Sequence, residues 1–384
     1  MNVGQSMTSQ AEYDLIIIGS GSVGAAAGYY SKKAGMNVLM IDSHFPPHTD
    51  GSHHGQTRII RHAYGEGENY VPLLLKAQSL WSDLHLQSES PIFEKTGVLN
   101  AAPEHSEFIQ QAIQSAKQYN LNVDITSGKE AKVRWPEINL PDSYITVYEP
   151  NAGILYCENA IKSYIKLANE LGCAQLFNCE VTAINRKGQG IEVITQDGTY
   201  YSKKVAVCAG TWVKKLLPDI PITPIRRVFA WHQADGRFSQ NNKFPAFVIE
   251  NEQGEGFYGF PAVNDELKLG KHLDWQPIEK KEERLPFGRH PTDGRALLDF
   301  LKHYLPGVGG CLYGASCTYD MTADEDFIID TIDENIYVVS GLSGHGYKFA
   351  SVLGEIISDF AKGDDCEFDL SPFKLNRFNQ SKSS

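Results

Sequence analysis

Paired cysteines are missing from this chain. Seven cysteines occur in 384 residues, at positions 157, 173, 179, 208, 311, 317 and 366, with no CxxC pair and no metal-ligand spacing. That pattern excludes a disulfide framework and a zinc site, and predicts reduced thiols in a cytoplasm. Long apolar runs are missing too: Leu15–Ile18 is too short, and too soon broken by glycine, to span a bilayer or form a signal-peptide core. Basic charge is short, at 35 Lys and Arg against 47 Asp and Glu for a formal net charge of -12. A broad footprint for nucleic acid or an anionic membrane is therefore not expected, and any anion must meet a local basic pocket. Internal repeats, low-complexity tracts and an obvious linker are absent, and the terminal Ser381-Lys382-Ser383-Ser384 is not a Ser-Lys-Leu address.

What is present describes an ordinary globular protein, with 42% hydrophobic and 21% charged residues and enough length for two domains. Residues 1–10 and 379–384 are expected to be flexible ends. Tyr13–Ile18 reads as a buried parallel strand, followed by a glycine turn, a small-residue helix over Val23–Ala34 and a second strand over Asn37–Ile41 that ends at Asp42. Gly19, Gly21 and Gly24 form GxGxxG in the position where that pattern binds a dinucleotide. The first glycine allows the turn, the second admits the pyrophosphate, and the third lets helix and strand pack closely. Ser22 follows at the helix N-terminus, whose amides face the diphosphate. Asp42 stands 18 residues after Gly24 and is placed to accept ribose hydroxyls. Nothing in this motif separates FAD from NAD.

The stretch His44–Tyr70 is rich in His, Gly and Arg, has poor periodicity, and is expected to line a site. Helices are predicted around Pro72–His85, Glu104–Tyr119 and Glu158–Leu171. A β-rich region over Gln175–Cys208 has Asp197-Gly198 as its hairpin turn. Short aromatic strands over Arg226–His272, a strand at Ile336–Ser340 and a helix from about His345 to Ala361 complete the pattern. Val205–Cys208 ends in Ala209 and Gly210, where backbone can pass close to a cofactor. Gly341–Lys348 is a glycine-rich entry to the last helix, placing Gly344 and a positive helix end beside an anionic partner.

The run Gly51-Ser52-His53-His54-Gly55-Gln56-Thr57-Arg58-Ile59-Ile60-Arg61-His62-Ala63-Tyr64-Gly65-Glu66-Gly67 resembles the monomeric sarcosine oxidase family of flavoenzymes. The likeness extends from Tyr13 to about Phe378 and includes the segments around Cys317 and Gly341–Phe349. Gln56 departs from the family pattern, which has Asp there, and so removes a charge near Arg58. The resemblance implies an α/β (α+β overall) fold: a Rossmann-like FAD-binding domain over 11–90, 145–225 and 310–378, interleaved with a mixed-sheet substrate domain over 91–144 and 226–309. It implies one FAD per chain joined to Cys317 through an 8α-S-cysteinyl bond, with Cys311 as the runner-up thiol. Thr57, Val181, Gly210 and Gly344 would contact the cofactor together with the glycine motif.

The same resemblance assigns Arg61 and Lys348 to the substrate carboxylate, with Tyr319 nearby. It places His54 and Arg58 against the flavin ring, Tyr258 and His272 near the substrate, and Lys268 where it assists the reaction with oxygen. His53 and His62 are read as loop-packing residues. The expected activity is oxidation of N-methyl amino acids by O2 in a monomer, with N-methyl-L-tryptophan first and sarcosine second as substrate. An NAD-dependent dehydrogenase and a non-catalytic flavin-binding sensor are the competing classes.

Overall fold

The computed structural model describes residues 12–382. Two eight-stranded sheets and one three-stranded sheet carry the molecule. The expected α/β class, with a Rossmann-like unit at its N-terminus, is the fold observed.

Glu12–Ile18 lies centrally in the first sheet, parallel to Val38–Asp42 on one side and to Gly198–Val207 on the other. Leu15, Ile16 and Ile17 are fully buried, as a strand covered on both faces requires. Ile336–Ser340 adds in parallel to Gly198–Val207, and Ala174–Phe177 adds to Val38–Asp42. The hairpin between Gly190–Thr195 and Gly198–Val207 turns at Gln196-Asp197, one residue before the predicted Asp197-Gly198, because Gly198 already pairs with Thr195. Helices Ser22–Lys33, Val71–Gln87, Cys157–Glu170 and Ala350–Lys362 supply the apolar faces of the largest core. The first and last of these cross closely, because a Cβ on Gly354 would lie 2.5 Å from that of Ala26.

The second sheet runs in the order Cys311–Met321, Thr223–Gln233, Glu266–Lys271, Gly256–Gly259, Ala246–Glu250, Val98–Ala102, Ile145–Glu149, Asp124–Ser127. Alternation divides its side chains. Leu99, Phe247, Ile249, Phe257, Leu267 and Leu269 join helix Arg295–Tyr304 in a separate core, while Val248, Tyr258, Lys268, Cys317 and Tyr319 occupy the opposite face. Ile145–Glu149 and Cys311–Met321, which fall within the segments expected for the cofactor domain, are strands of this second sheet.

Three further local expectations are corrected. His44–Tyr70 is not wholly irregular, since Thr57–Ile60 pairs antiparallel with Gly153–Tyr156 in the smallest sheet. The last helix starts at Ala350 rather than His345. Left-handed Ser343 and Gly344, at φ 45° and 78°, turn the chain first, and a 3-10 turn over Tyr347–Phe349 follows. Strand Cys311–Met321 and helix Arg295–Tyr304 were not legible beforehand. Residues 1–10 and 383–384 of the expected flexible ends lie outside the described residues, whereas 379–382 continue a 3-10 segment from Leu375. No helix of the described residues is long and apolar enough to cross a membrane.

Candidate active site

Gly19 ends the first strand at φ 93°, and a Cβ there would stand 2.4 Å from the carbonyl oxygen of Cys208. On Gly24 a Cβ would stand 1.8 Å from the carbonyl oxygen of Gly19. Both positions exclude any side chain, one for the turn and one for the approach of helix to strand. Gly21 caps helix Ser22–Lys33, which has no side-chain cap and no acidic residue in its first turn. Its first amides are thus open to an anion. Asp42 accepts the Ser20 amide at 2.6 Å and the His44 amide at 2.9 Å, and pairs with His48 at 3.3 Å. Burial alone would raise its pKa, but these hydrogen bonds outweigh burial and hold it below the usual carboxylate range.

These groups open onto a cavity of about 1090 Å³, lined by Gly19, Gly21, Ser22, Asp42, Val181 and Gly210 among others. A second cavity of about 740 Å³ is lined by Arg58, Arg61, Glu66, Tyr258, His272 and Lys348. Arg58, Tyr319, Gly344 and Tyr347 belong to both walls, so the two spaces meet there. A Cβ on Gly344 would fall 2.2 Å from the Tyr319 ring, so only glycine leaves that junction intact.

Four of the expected residues sit within the wall, not on its surface. Lys268 is 3% exposed; its Nζ donates to the carbonyl of Thr57 at 2.8 Å and to that of Gly55, and lies 4.6 Å from the Phe260 ring centroid and 4.9 Å from that of Phe229. Burial, reinforced by Arg58, pushes its pKa down to about 7. His54 is held neutral near pKa 4 by burial and Arg58, and its Nε2 is buried without a hydrogen-bond partner. Thr57 contributes its carbonyl, which also accepts from Arg58 at 2.9 Å. Cys317 is 1% exposed; burial pushes its thiol up, opposed by Arg58, Arg227, Lys268 and Arg284. Cys311 lies exposed at the far end of the same strand. Cys157 also feels Arg58 and Lys268, but burial raises its thiol to about 11.

At the outer cavity Arg61 donates to both Glu66 oxygens, at 2.7 and 2.8 Å. Its guanidinium packs 4.7 Å from the Tyr64 ring centroid and 5.3 Å from that of Phe108. Lys348 Nζ donates to the His345 carbonyl at 2.7 Å and to Tyr64 Oη at 3.3 Å. Burial lowers its pKa to about 7, with Glu66 opposing and Arg61 and Arg58 assisting the fall. His272 is likewise pushed down to about 4 by burial. Glu66 is driven the other way. Burial would raise it, but Arg61 and Lys348 hold it down at about 2.

Glu66 and Tyr347 also line the second cavity, and sequence reasoning missed both; a carboxylate five residues after Arg61 was the available signal. His53, read as loop packing, also lines the nucleotide cavity. The side chain of Gln56 accepts from Trp231 Nε1 at 3.1 Å through Oε1.

The sequence model of the FAD dependent oxidoreductase family matches residues 14–360. The chain belongs to this family. Membership makes the dinucleotide FAD and removes the NAD-dependent dehydrogenase from consideration. N-methyl-L-tryptophan oxidase of Escherichia coli O157:H7 (strain EC4115 / EHEC) is 58% identical over 370 residues, covering 96% of this chain and 100% of that protein. The N-methyl-L-tryptophan oxidase of Escherichia coli (strain K12) is 57% identical over the same length. Among solved structures, L-proline dehydrogenase from P. horikoshii superposes with a TM-score of 0.83 at 19% identity, over 97% of this chain and 99% of that one. Glycine oxidase from Geobacillus kaustophilus gives 0.79 at 19%, over 95% and 99%. At such identity these two establish the family's fold alone.

Proposed function

We propose that the chain oxidises N-methyl amino acids, N-methyl-L-tryptophan foremost, converting substrate, water and O2 to the primary amino acid, formaldehyde and hydrogen peroxide. The observation that carries this reading is the meeting of a nucleotide cavity with a second cavity of about 740 Å³ holding Arg61 and Lys348. A space of that size suits an indole side chain, where sarcosine would leave most of it unfilled. The identity of 57–58% to N-methyl-L-tryptophan oxidases supports the same choice.

The glycine turn, the open amides of helix Ser22–Lys33 and Asp42 fit FAD, with Val181, Gly210 and Gly344 along its path. When bound, FAD supplies the acceptor for the hydride equivalent that leaves the N-methyl carbon. Arg61 and Lys348 hold the substrate carboxylate, one through a planar fork and one as a point charge. Glu66 occupies Arg61 until the substrate carboxylate displaces it. Arg58, Arg61 and Lys348 disfavour a further cation in the pocket, which keeps the substrate amine neutral and its lone pair available. Tyr258, His272 and Tyr319 wall the amine end. Lys268 and Arg58 supply positive charge where oxygen reduction develops negative charge, with the neutral His54 ring packed beside them.

In this reading Cys317 Sγ would hold the cofactor covalently, with Arg58, Arg227, Lys268 and Arg284 opposing the burial that pushes its thiol up. Segments of the first sheet serve the cofactor, and the open face of the second sheet serves the substrate and, through Cys317, the cofactor as well. Hydrogen peroxide release from N-methyl-L-tryptophan and from sarcosine, measured side by side, tests the proposal. Faster turnover of sarcosine overturns the substrate choice, and no turnover of either overturns the activity.

A further inference from the structure

Two cations at the junction are held by one short stretch of backbone. Arg58 Nη2 donates to the carbonyls of Ser52 at 2.9 Å and His54 at 3.0 Å, while Lys268 Nζ donates to those of Gly55 and Thr57. That stretch turns through two successive left-handed residues, Gly55 at φ 99° and Gln56 at φ 71°. For glutamine this conformation is costly, and it persists only where neighbouring groups impose it.

The imposing group is on another element. Glu158, in the first turn of helix Cys157–Glu170, accepts the amide of Gly55 at 2.9 Å and that of Gln56 at 3.1 Å through one carboxylate oxygen. The amide of Cys157 in turn donates to the carbonyl of Gln56 at 2.8 Å. The helix start therefore clamps the turn from behind, while the carbonyls on its other side face Arg58 and Lys268.

We propose that Glu158 is a positioning residue for the oxidase, fixing the carbonyls that aim Arg58 and Lys268 and acting as an anion that balances Lys268. The proposal rests on the oxidase reading for its catalytic consequence, but the clamp itself is a property of the chain. The groups facing Lys268 are Phe260, Phe229 and Trp231 as rings, Arg58 as a cation, and Cys157, Cys317 and Glu158 from the surrounding elements. Of these, Glu158 is the carboxylate. Its charge favours the protonated lysine, against burial and Arg58.

Charge and geometry separate in two variants. Glu158→Gln keeps an acceptor oxygen for both amides and removes the charge; Glu158→Ala removes both. In the holoenzyme, hydrogen exchange at the Gly55 and Gln56 amides is expected to accelerate about tenfold or more in Glu158→Ala, and to stay near wild type in Glu158→Gln. The reaction of the reduced enzyme with oxygen should decline with rising pH as Lys268 loses its proton, and in Glu158→Gln that decline should move to lower pH. Unchanged exchange in Glu158→Ala, or an unmoved pH profile in Glu158→Gln, overturns the proposal. Should the alanine variant not fold, the glutamine variant alone decides. If wild-type enzyme consumes no oxygen with N-methyl-L-tryptophan, the oxidase reading fails, while the exchange comparison still judges the clamp.

Discussion

Arg61 and Glu66 form a closed pair in the wall of the second cavity, with one guanidinium nitrogen 2.7 and 2.8 Å from the two carboxylate oxygens. Arg61 is almost fully buried, and Glu66 is the more exposed partner. Under the proposed function, a carboxylate already occupies the position at which the substrate carboxylate would arrive. Binding then becomes an exchange of one anion for another, and its free energy is a difference between two similar ion pairs.

Removing the incumbent charge should favour the newcomer. Glu66→Gln is expected to tighten binding of an amine-free carboxylate such as 3-(indol-3-yl)propanoate by up to about tenfold, provided the pH is low enough to keep Lys348 protonated once the Glu66 charge that supports its ammonium is gone. Perturbation of the flavin spectrum on titration measures it. Weaker binding would show that Glu66 chiefly orients Arg61.

The two cations themselves should act on substrate capture. Arg61→Ala or Lys348→Ala should raise KM for N-methyl-L-tryptophan by about tenfold to a hundredfold, the loss of one charge-assisted pair, with flavin still bound. An unchanged KM in both variants would remove them from the carboxylate site.

Binding should also depend on pH. Lys348 titrates at about 7, lowered chiefly by burial. Below that pH it is an ammonium; above it the group is neutral and only Arg61 remains. The Kd of the amine-free carboxylate should therefore rise above pH 7, by at most about tenfold per pH unit, and level off above the higher pKa that Lys348 takes when paired with the bound carboxylate. Lys348→Met should flatten the profile, and a profile that persists in that variant assigns the titration elsewhere.

Mass spectrometry of the purified protein addresses the thiol. A mass increment matching FAD is expected on the peptide containing Cys317, and Cys317→Ser should abolish it. An increment on the peptide containing Cys157, which shares Arg58 and Lys268 with Cys317, would relocate the linkage.

Much of the cofactor site was readable along the chain because its logic is local. Gly19, Gly21, Gly24 and Asp42 lie within one strand, turn, helix and strand, and the demand on Gly24 comes from the Gly19 carbonyl of the same turn, although that on Gly19 comes from Cys208 far along the chain. The hairpin near Asp197-Gly198 and the strand at Ile336–Ser340 were legible for the same local reason. Strand Cys311–Met321 was not, because its composition mixes glycine, cysteine and serine, and only pairing with Thr223–Gln233 makes it a strand. The start of the last helix was misread because helical composition continues through Tyr347–Phe349, while the left-handed Ser343 and Gly344 set the entry angle.

By itself, then, the sequence determined the nucleotide-binding unit, the thiols available and the family of chemistry, since each depends on residue types at short fixed spacing. Tertiary structure alone decided which charges meet. It brought Arg61 against Glu66, lowered Lys268 and Lys348 to about 7 through burial, and set Glu158 of a distant helix behind the turn that holds two cations. Burial and the field of neighbouring charges act through space, between residues up to hundreds of positions apart, and no spacing along a chain records them.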